Sequence, residues 1–177
     1  MEQSSSIYLV GMMGAGKSTV GRWLARRLKL RFFDSDHEVE RRCGVKIPVV
    51  FDIEGEAGFR TREAQVIEEL TALDSVVLAT GGGAVLRPEN RARLAARGFV
   101  TYLHAQPDDL YARVRHDRNR PLLATGNPLG RLRELYQERD PLYREIADLV
   151  VETGSQSVQA LARELLDKLG MRWKASA

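Results

Sequence analysis

Eight residues constrain this 177-residue chain more than any others: Gly11-Met-Met-Gly14-Ala15-Gly16-Lys17-Ser18, which follow the apolar run Ile7-Tyr8-Leu9-Val10 without a gap. The spacing Gly-x-x-x-x-Gly-Lys-Ser is that of a loop joining a strand to a helix around an anion. Glycines let the backbone turn its N–H groups inward, so loop and helix N-terminus together form a concave seat for phosphate. Lys17 then reaches the β- and γ-phosphates, and the Ser18 hydroxyl is free to ligate Mg²⁺. The following residues agree, because Val20, Trp23, Leu24 and Leu28 recur at helical spacing across residues 19–30. The chain is expected to bind a nucleoside triphosphate.

Composition narrows the setting. A chain that is 44% hydrophobic and 29% charged reads as one soluble domain, 1–177, with a sizeable core. No apolar run approaches the roughly 18 residues of a membrane span. Residues 1–6 are short and polar, unlike a signal peptide, so a cytoplasmic address is expected. Cys43 is the sole cysteine, which excludes an internal disulfide and fits a reducing compartment. The net charge of +3 is mild and the arginines are scattered, so neither a nucleic acid nor a membrane is expected as a partner.

Beyond the loop, Arg31-Phe32-Phe33 reads as a short strand ending in Asp34-Ser35-Asp36. Carboxylates at the carboxyl end of a strand lie where ligands bind in open α/β sheets. One of the pair also suits the N-cap of a helix over 37–42. If that strand lies beside the phosphate loop, Asp34 faces a metal, directly or through water, and Asp36 projects toward an acceptor hydroxyl. Residues 46–55 predict a short helix with Pro48 in its first turn, followed by a longer helix to Leu73. Arg60 falls on or beside the buried stripe of that helix, where an arginine either snorkels outward or faces an anion.

Val76 to Ala79 reads as a buried parallel strand running into Thr80-Gly81-Gly82-Gly83. A flexible turn hardly needs three glycines, and close backbone approach to a ligand does. No aspartate ends this strand, so the usual second metal anchor of phosphate-loop proteins is missing and Asp34 is its natural replacement. A helix over 88–97, a strand over 99–103 and a helix over 107–114 follow. Residues 115–128 are rich in arginine, glycine and proline. In a phosphate-loop protein such a stretch reads as a lid that expels water and sets an arginine, here Arg120, on the transferring phosphoryl group. Arg139 falls among Leu132, Leu135 and Tyr136 on one helical stripe, a costly place for an unpaired charge. Pro141 is expected to bend or interrupt that helix. A last strand over 148–152, a closing helix to Leu169 and a frayed tail from Met171 complete the chain. His37, His104, His116, Trp23 and Trp173 show no ligand or cofactor pattern and read as structural or surface residues. The alternation predicts an α/β fold, a three-layer sandwich with a mostly parallel sheet of about five strands.

With the glycine loop, Asp34-Ser-Asp36, Gly55-Glu-Ala-Gly-Phe-Arg60, Ala79-Thr-Gly-Gly-Gly83, Arg118-Asn-Arg-Pro-Leu-Leu123 and Glu138-Arg-Asp-Pro-Leu-Tyr143 on the page, the chain resembles shikimate kinases from about Ile7 to Leu169. Met12, Met13 and Pro48 depart from the commonest family residues without touching the chemistry. The resemblance implies a phosphate-loop kinase core of the nucleoside monophosphate kinase group, with a substrate-binding segment near 34–62 and a lid near 113–127. It implies transfer of a phosphoryl group from ATP to the 3-hydroxyl of shikimate, with Mg²⁺ as cofactor and no partner beyond these small molecules. By position, Gly14, Ala15, Gly16, Lys17, Ser18 and Thr19 match the ATP-phosphate loop. Ser18 matches the metal ligand and Asp34 the acidic residue near it, acting through water. Asp36, Arg60, Gly81, Gly82 and Arg139 match the shikimate site, Arg120 the lid arginine at ATP, and Gln156 a polar position near adenine. Lys17, Asp36 and Arg120 are the expected catalytic residues and a monomer the expected state. Two rival readings are another small-molecule kinase of this fold, acting on gluconate or a nucleotide, and a non-catalytic ATP-binding module.

Overall fold

A computed structural model describes residues 6–154 and 156–175, with side chains through residue 170. The polar residues 1–5 lie outside it. Strand β1 (Ile7–Val10) is buried on both faces and occupies the middle of a five-stranded sheet. Around it stand β2 (Arg31–Asp34), β3 (Val76–Ala79), β4 (Phe99–His104) and β5 (Leu149–Glu152), in the order β2-β3-β1-β4-β5. Every pairing is parallel. Apolar runs without alternation are what such doubly covered strands require.

Helices α1 (Lys17–Leu28) and α7 (Val158–Ala175) pack together on one side of the sheet. On the other, α4 (Pro88–Arg97) and α6 (Pro128–Ile146) lean on β4, and α3 (Ile47–Thr71) packs against α4 and against α2 (Ser35–Cys43). Helix α5 (Pro107–Val114) packs on α6 and leads into the arginine-rich loop, which contains a 3₁₀ turn at Pro121–Leu123. The result is the expected three-layer sandwich. In register, Asp34 stands opposite Ala79 and Leu9 opposite both Ala79 and Thr101, so the phosphate loop, Asp34 and the triple glycine all leave the sheet at one rim.

Three local expectations need adjustment. The two helices expected over 46–55 and 56–73 run nearly end to end as α3, broken at Gly55 with φ 70° and ψ 179°, a combination almost confined to glycine. Helix α6 passes through Pro141 uninterrupted. Pro141 and Gln137, whose carbonyl loses its helical partner, are both exposed, which leaves that carbonyl open to solvent. Helix α7 continues to Ala175 where a frayed tail was expected, because nothing in 171–175 disfavours helix. Residues 176 and 177 lie outside the description. None of the helices among the described residues is long and apolar enough to cross a membrane.

Candidate phosphoryl-transfer site

At the end of β1 the loop turns through Gly14 and Gly16 with φ of 80° and 93°, values that side chains rarely adopt. The Lys17 ammonium folds back over the loop and donates to the carbonyls of Gly11 (2.7 Å) and Met12 (2.8 Å). Burial, then the nearby Arg120 charge, pushes its pKa down to about 8. The Ser18 hydroxyl donates to Asp34 Oδ2, while Asp34 Oδ1 accepts the backbone N–H of His37 (3.1 Å). Asp34 thus caps α2 and serves the loop at once. It does so although β2 pairs with β3 and not with β1, because α1 crosses β3 and carries Ser18 toward the end of β2.

Beside the loop lies a cavity lined by Asp36, Arg60, Glu63, Arg120 and Arg139, with Ile47, Phe51 and Phe59 as its apolar wall. Arg139 is only 2% exposed, and its Nε has no partner in the protein. Arg60 is also buried, bonded to Glu63 Oε1 (2.9 Å) and Glu56 Oε1 (3.3 Å), and stacked over Phe59 with its Nε likewise unpartnered. Each guanidinium thus keeps a buried Nε–H without a partner, a pair of donors that suits an anion. Burial raises the pKa of Glu63 to about 7 against the pull of Arg60. Burial, followed by repulsion from Asp34, also raises that of Asp36, opposed by Lys17, Arg120 and Arg60.

The triple glycine explains itself here by room and not by conformation, since none of the three has positive φ. A Cβ on Gly81 would lie 2.5 Å from Asp36 Oδ1 and 2.8 Å from Glu63 Oε2, and one on Gly83 would overlap the Arg60 guanidinium. The Gly81 N–H donates to Ser35 Oγ (2.8 Å), and the Tyr143 hydroxyl donates to the Gly82 carbonyl. The backbone is thereby pressed against the acceptor side chains and held there.

The structure therefore brings Lys17, Ser18, Asp34, Asp36, Arg60, Gly81, Gly82, Arg120 and Arg139 to one rim. Arg120 stands at the cavity mouth, its Nε donating to Asp117 Oδ2 (3.0 Å). Gln156 stands apart, exposed on the turn after β5 and bonded to Glu152 and Glu164. That turn is tied to the phosphate loop by Arg113, which donates to the carbonyls of Gly14 (3.1 Å) and Gly154 (3.0 Å). Sequence reading missed Arg113, Ser35, Glu63 and Tyr143. Glu63 and Tyr143 had a signal, lying three and four residues after Arg60 and Arg139 on the same helical faces. Ser35 and Arg113 had none.

No group of three His, Cys, Asp or Glu side chains among the described residues could hold a metal. The Ser18 hydroxyl and Asp34 carboxylate together form a small oxygen set, which suits a cation that keeps several waters and takes phosphate oxygens, as Mg²⁺ does.

A phosphate loop after the central strand of a β2-β3-β1-β4-β5 sheet, facing a cavity built for an anion, defines a phosphate-loop kinase of the nucleoside monophosphate kinase type. The shikimate kinase family model matches residues 13–170. The shikimate kinase of Thiobacillus denitrificans is 61% identical over 171 residues, covering 97% of this chain and 93% of its own. The structure of the Acinetobacter baumannii shikimate kinase in complex with shikimate superposes with a TM-score of 0.93 at 48% identity, covering 97% of this chain and 95% of that one. The chain belongs to the shikimate kinase family. A gluconokinase from Sinorhizobium meliloti, 19% identical with a TM-score of 0.60 over 94% of this chain and 91% of its own, shares the fold alone.

Proposed function

We propose that the chain transfers the γ-phosphoryl group of ATP to the 3-hydroxyl of shikimate, giving ADP and 3-phosphoshikimate. The observation that carries this reading is the pair of buried guanidiniums, Arg60 and Arg139, lining one cavity with the Asp36 carboxylate beside the phosphate loop. A small polyol carboxylate matches that set of groups, and the Acinetobacter relative is described in complex with shikimate.

Arg60 and Arg139 bind the carboxylate through paired N–H donors. Asp36 accepts the hydrogen bond of the attacking hydroxyl and orients it. Its raised pKa makes its carboxylate a stronger acceptor for that proton than an ordinary aspartate. Lys17 and Arg120 stabilise negative charge on the group in flight, and the N–H groups of 14–19 hold the remaining phosphates. Ser18 and, through water, Asp34 hold Mg²⁺, which neutralises phosphate charge when bound. Residues 34–62 form the substrate-binding segment and 113–127 the lid that excludes water. Gln156 lies on the nucleotide side. The reading extends to one domain, acting as a cytoplasmic monomer on small molecules alone.

The test is ADP release with Mg²⁺-ATP in the presence of shikimate, gluconate or nucleoside monophosphates, each alone. Turnover stimulated by shikimate and not by the others is expected. Turnover with a different acceptor would overturn the cavity assignment, and nucleotide binding without acceptor-dependent turnover would overturn the enzymatic one.

A further inference from the structure

His104 ends an apolar strand, and its sequence context suggested nothing beyond a structural role. In the fold its side chain is 4% exposed and both ring nitrogens are bonded. Nδ1 lies 2.6 Å from Glu152 Oε2, its register partner on β5, and Nε2 lies 2.6 Å from the Tyr136 hydroxyl on α6. A carboxylate only accepts, so Nδ1–H donates to Glu152, while Nε2 shares the second hydrogen bond with the Tyr136 hydroxyl. Asp140 of α6 stands 4.0 Å from Nε2, accepts from the Tyr102 hydroxyl of β4 (2.8 Å) and pairs with Arg144 (3.0 Å).

Tyr136, Arg139, Asp140 and Tyr143 follow one another along a single face of α6. Arg139 is therefore flanked by two fastenings. Tyr143 ties the helix to the Gly82 carbonyl on one side, and Tyr136 with Asp140 ties it to His104 and Tyr102 on the other. The Arg139 Nε has no partner, and the guanidinium is hydrogen-bonded to the side chain of Tyr143, which rides on the same helix, so its aim follows α6. The backbone of His104 does separate work. Its carbonyl accepts from Thr153 N (2.7 Å) and Oγ1 (3.0 Å). Arg113 joins Thr153 and Gly154 to the phosphate loop.

We infer that His104 is a positioning residue for the acceptor, its imidazole fixing α6 at the angle from which Arg139 meets the acceptor carboxylate. The inference rests on the reading of Arg139 given above. Because the ring grips the acceptor helix and the carbonyl grips the nucleotide side, replacing the side chain disturbs the first and spares the second.

The experiment measures steady-state kinetics of His104→Leu, His104→Gln, Tyr136→Phe and Arg139→Ala in the full chain. His104→Leu is expected to raise the KM for shikimate about three- to thirtyfold, with kcat and the KM for ATP within about twofold of the parent. His104→Gln, whose amide can donate to Glu152 and accept from Tyr136, is expected to recover most of the loss. Tyr136→Phe removes the same bond from the helix side without disturbing the core, and is expected to move the shikimate KM in the same direction even if His104→Leu fails to fold. An unchanged shikimate KM in Tyr136→Phe or in folded His104→Leu, or equal rises in both KM values, overturns the inference. Arg139→Ala separates the two failures. If it too leaves the shikimate KM unchanged, the reading of the cavity is wrong; if it raises that KM while the other variants do not, only the role of His104 falls.

Discussion

Gly83 lies so close to the guanidinium of Arg60 that a Cβ at position 83 would overlap Cζ and both terminal nitrogens. The backbone there is a wall against which the arginine is pressed. Gly83→Ala must displace Arg60, which its bonds to Glu63 and Glu56 resist. We expect a loss of about 1–3 kcal/mol in acceptor binding, the usual cost of overpacking, seen as a raised KM for shikimate. The ATP affinity, measured by titration calorimetry, should stay near the parent value. An equal loss of both affinities would show that the substitution damages the fold and not the cavity.

Asp36→Asn keeps the size and hydrogen-bonding reach of the side chain but removes its capacity to take a proton. We expect kcat to fall by about 10²–10⁴, the typical contribution of a positioned base, with ATP binding nearly intact. Turnover close to the parent would remove Asp36 from the catalytic machinery.

Asp34 has two separable duties. Asparagine caps a helix as well as aspartate does, whereas alanine costs about 1 kcal/mol at such a position. Asp34→Asn should therefore leave the Tm unchanged while raising the Mg²⁺ concentration needed for half-maximal rate, and Asp34→Ala should do both kinds of damage. Chelation of Mg²⁺ should abolish turnover in all three proteins. A Mg²⁺ requirement unchanged in Asp34→Asn would leave only the capping role.

Lys17 has its folded pKa lowered from 10.5 to about 8. Between those values the unfolded chain holds the proton and the folded chain does not, so this group makes stability rise with pH through that window. A bound triphosphate reverses the penalty by favouring the ammonium. Binding Mg²⁺-ATP at pH 8.5 should therefore take up roughly three quarters of a proton, and at pH 6.5 almost none. The slope of the calorimetric enthalpy against buffer ionisation enthalpy measures it. A flat slope at pH 8.5 would mean that Lys17 stays charged in the free protein.

The sheet was readable because its strands are uninterrupted apolar runs between helical repeats, and the rim was readable because the phosphate loop dictates where ligands gather. The order of the strands was not. Nothing in Arg31-Phe32-Phe33-Asp34 says that β3 intervenes between it and β1, yet Asp34 still reaches Ser18, since helix packing and not strand neighbourhood sets that distance. Arg60 and Arg139 could be suspected as charges on apolar stripes. Their confinement by Gly83 and by the Tyr143-held Gly82 could not, because those contacts join residues more than twenty positions apart. The triple glycine pointed to close approach, and the groups that approach are the protein's own site side chains. Pro141 misled in another way. The rule that proline breaks helices assumes a freed carbonyl with nowhere to go, and on an exposed face it is open to solvent.

The break at Gly55 divides the labour of recognition. Ile47 and Phe51, on the outer piece of α3, supply two of the three residues of the cavity's apolar wall, while Arg60 and Glu63, on the inner piece with Phe59, supply charge. The pieces meet again where the Phe51 and Phe59 rings touch, 5.0 Å between centroids. Most of the apolar contour thus sits on a different segment from Arg60 and Glu63, the two joined by a residue that transmits little helical rigidity. Selection can remodel residues 47–51 to fit the outline of a different ring acid while the cationic floor stays as it is, so a change of acceptor within this lineage should begin on the outer piece.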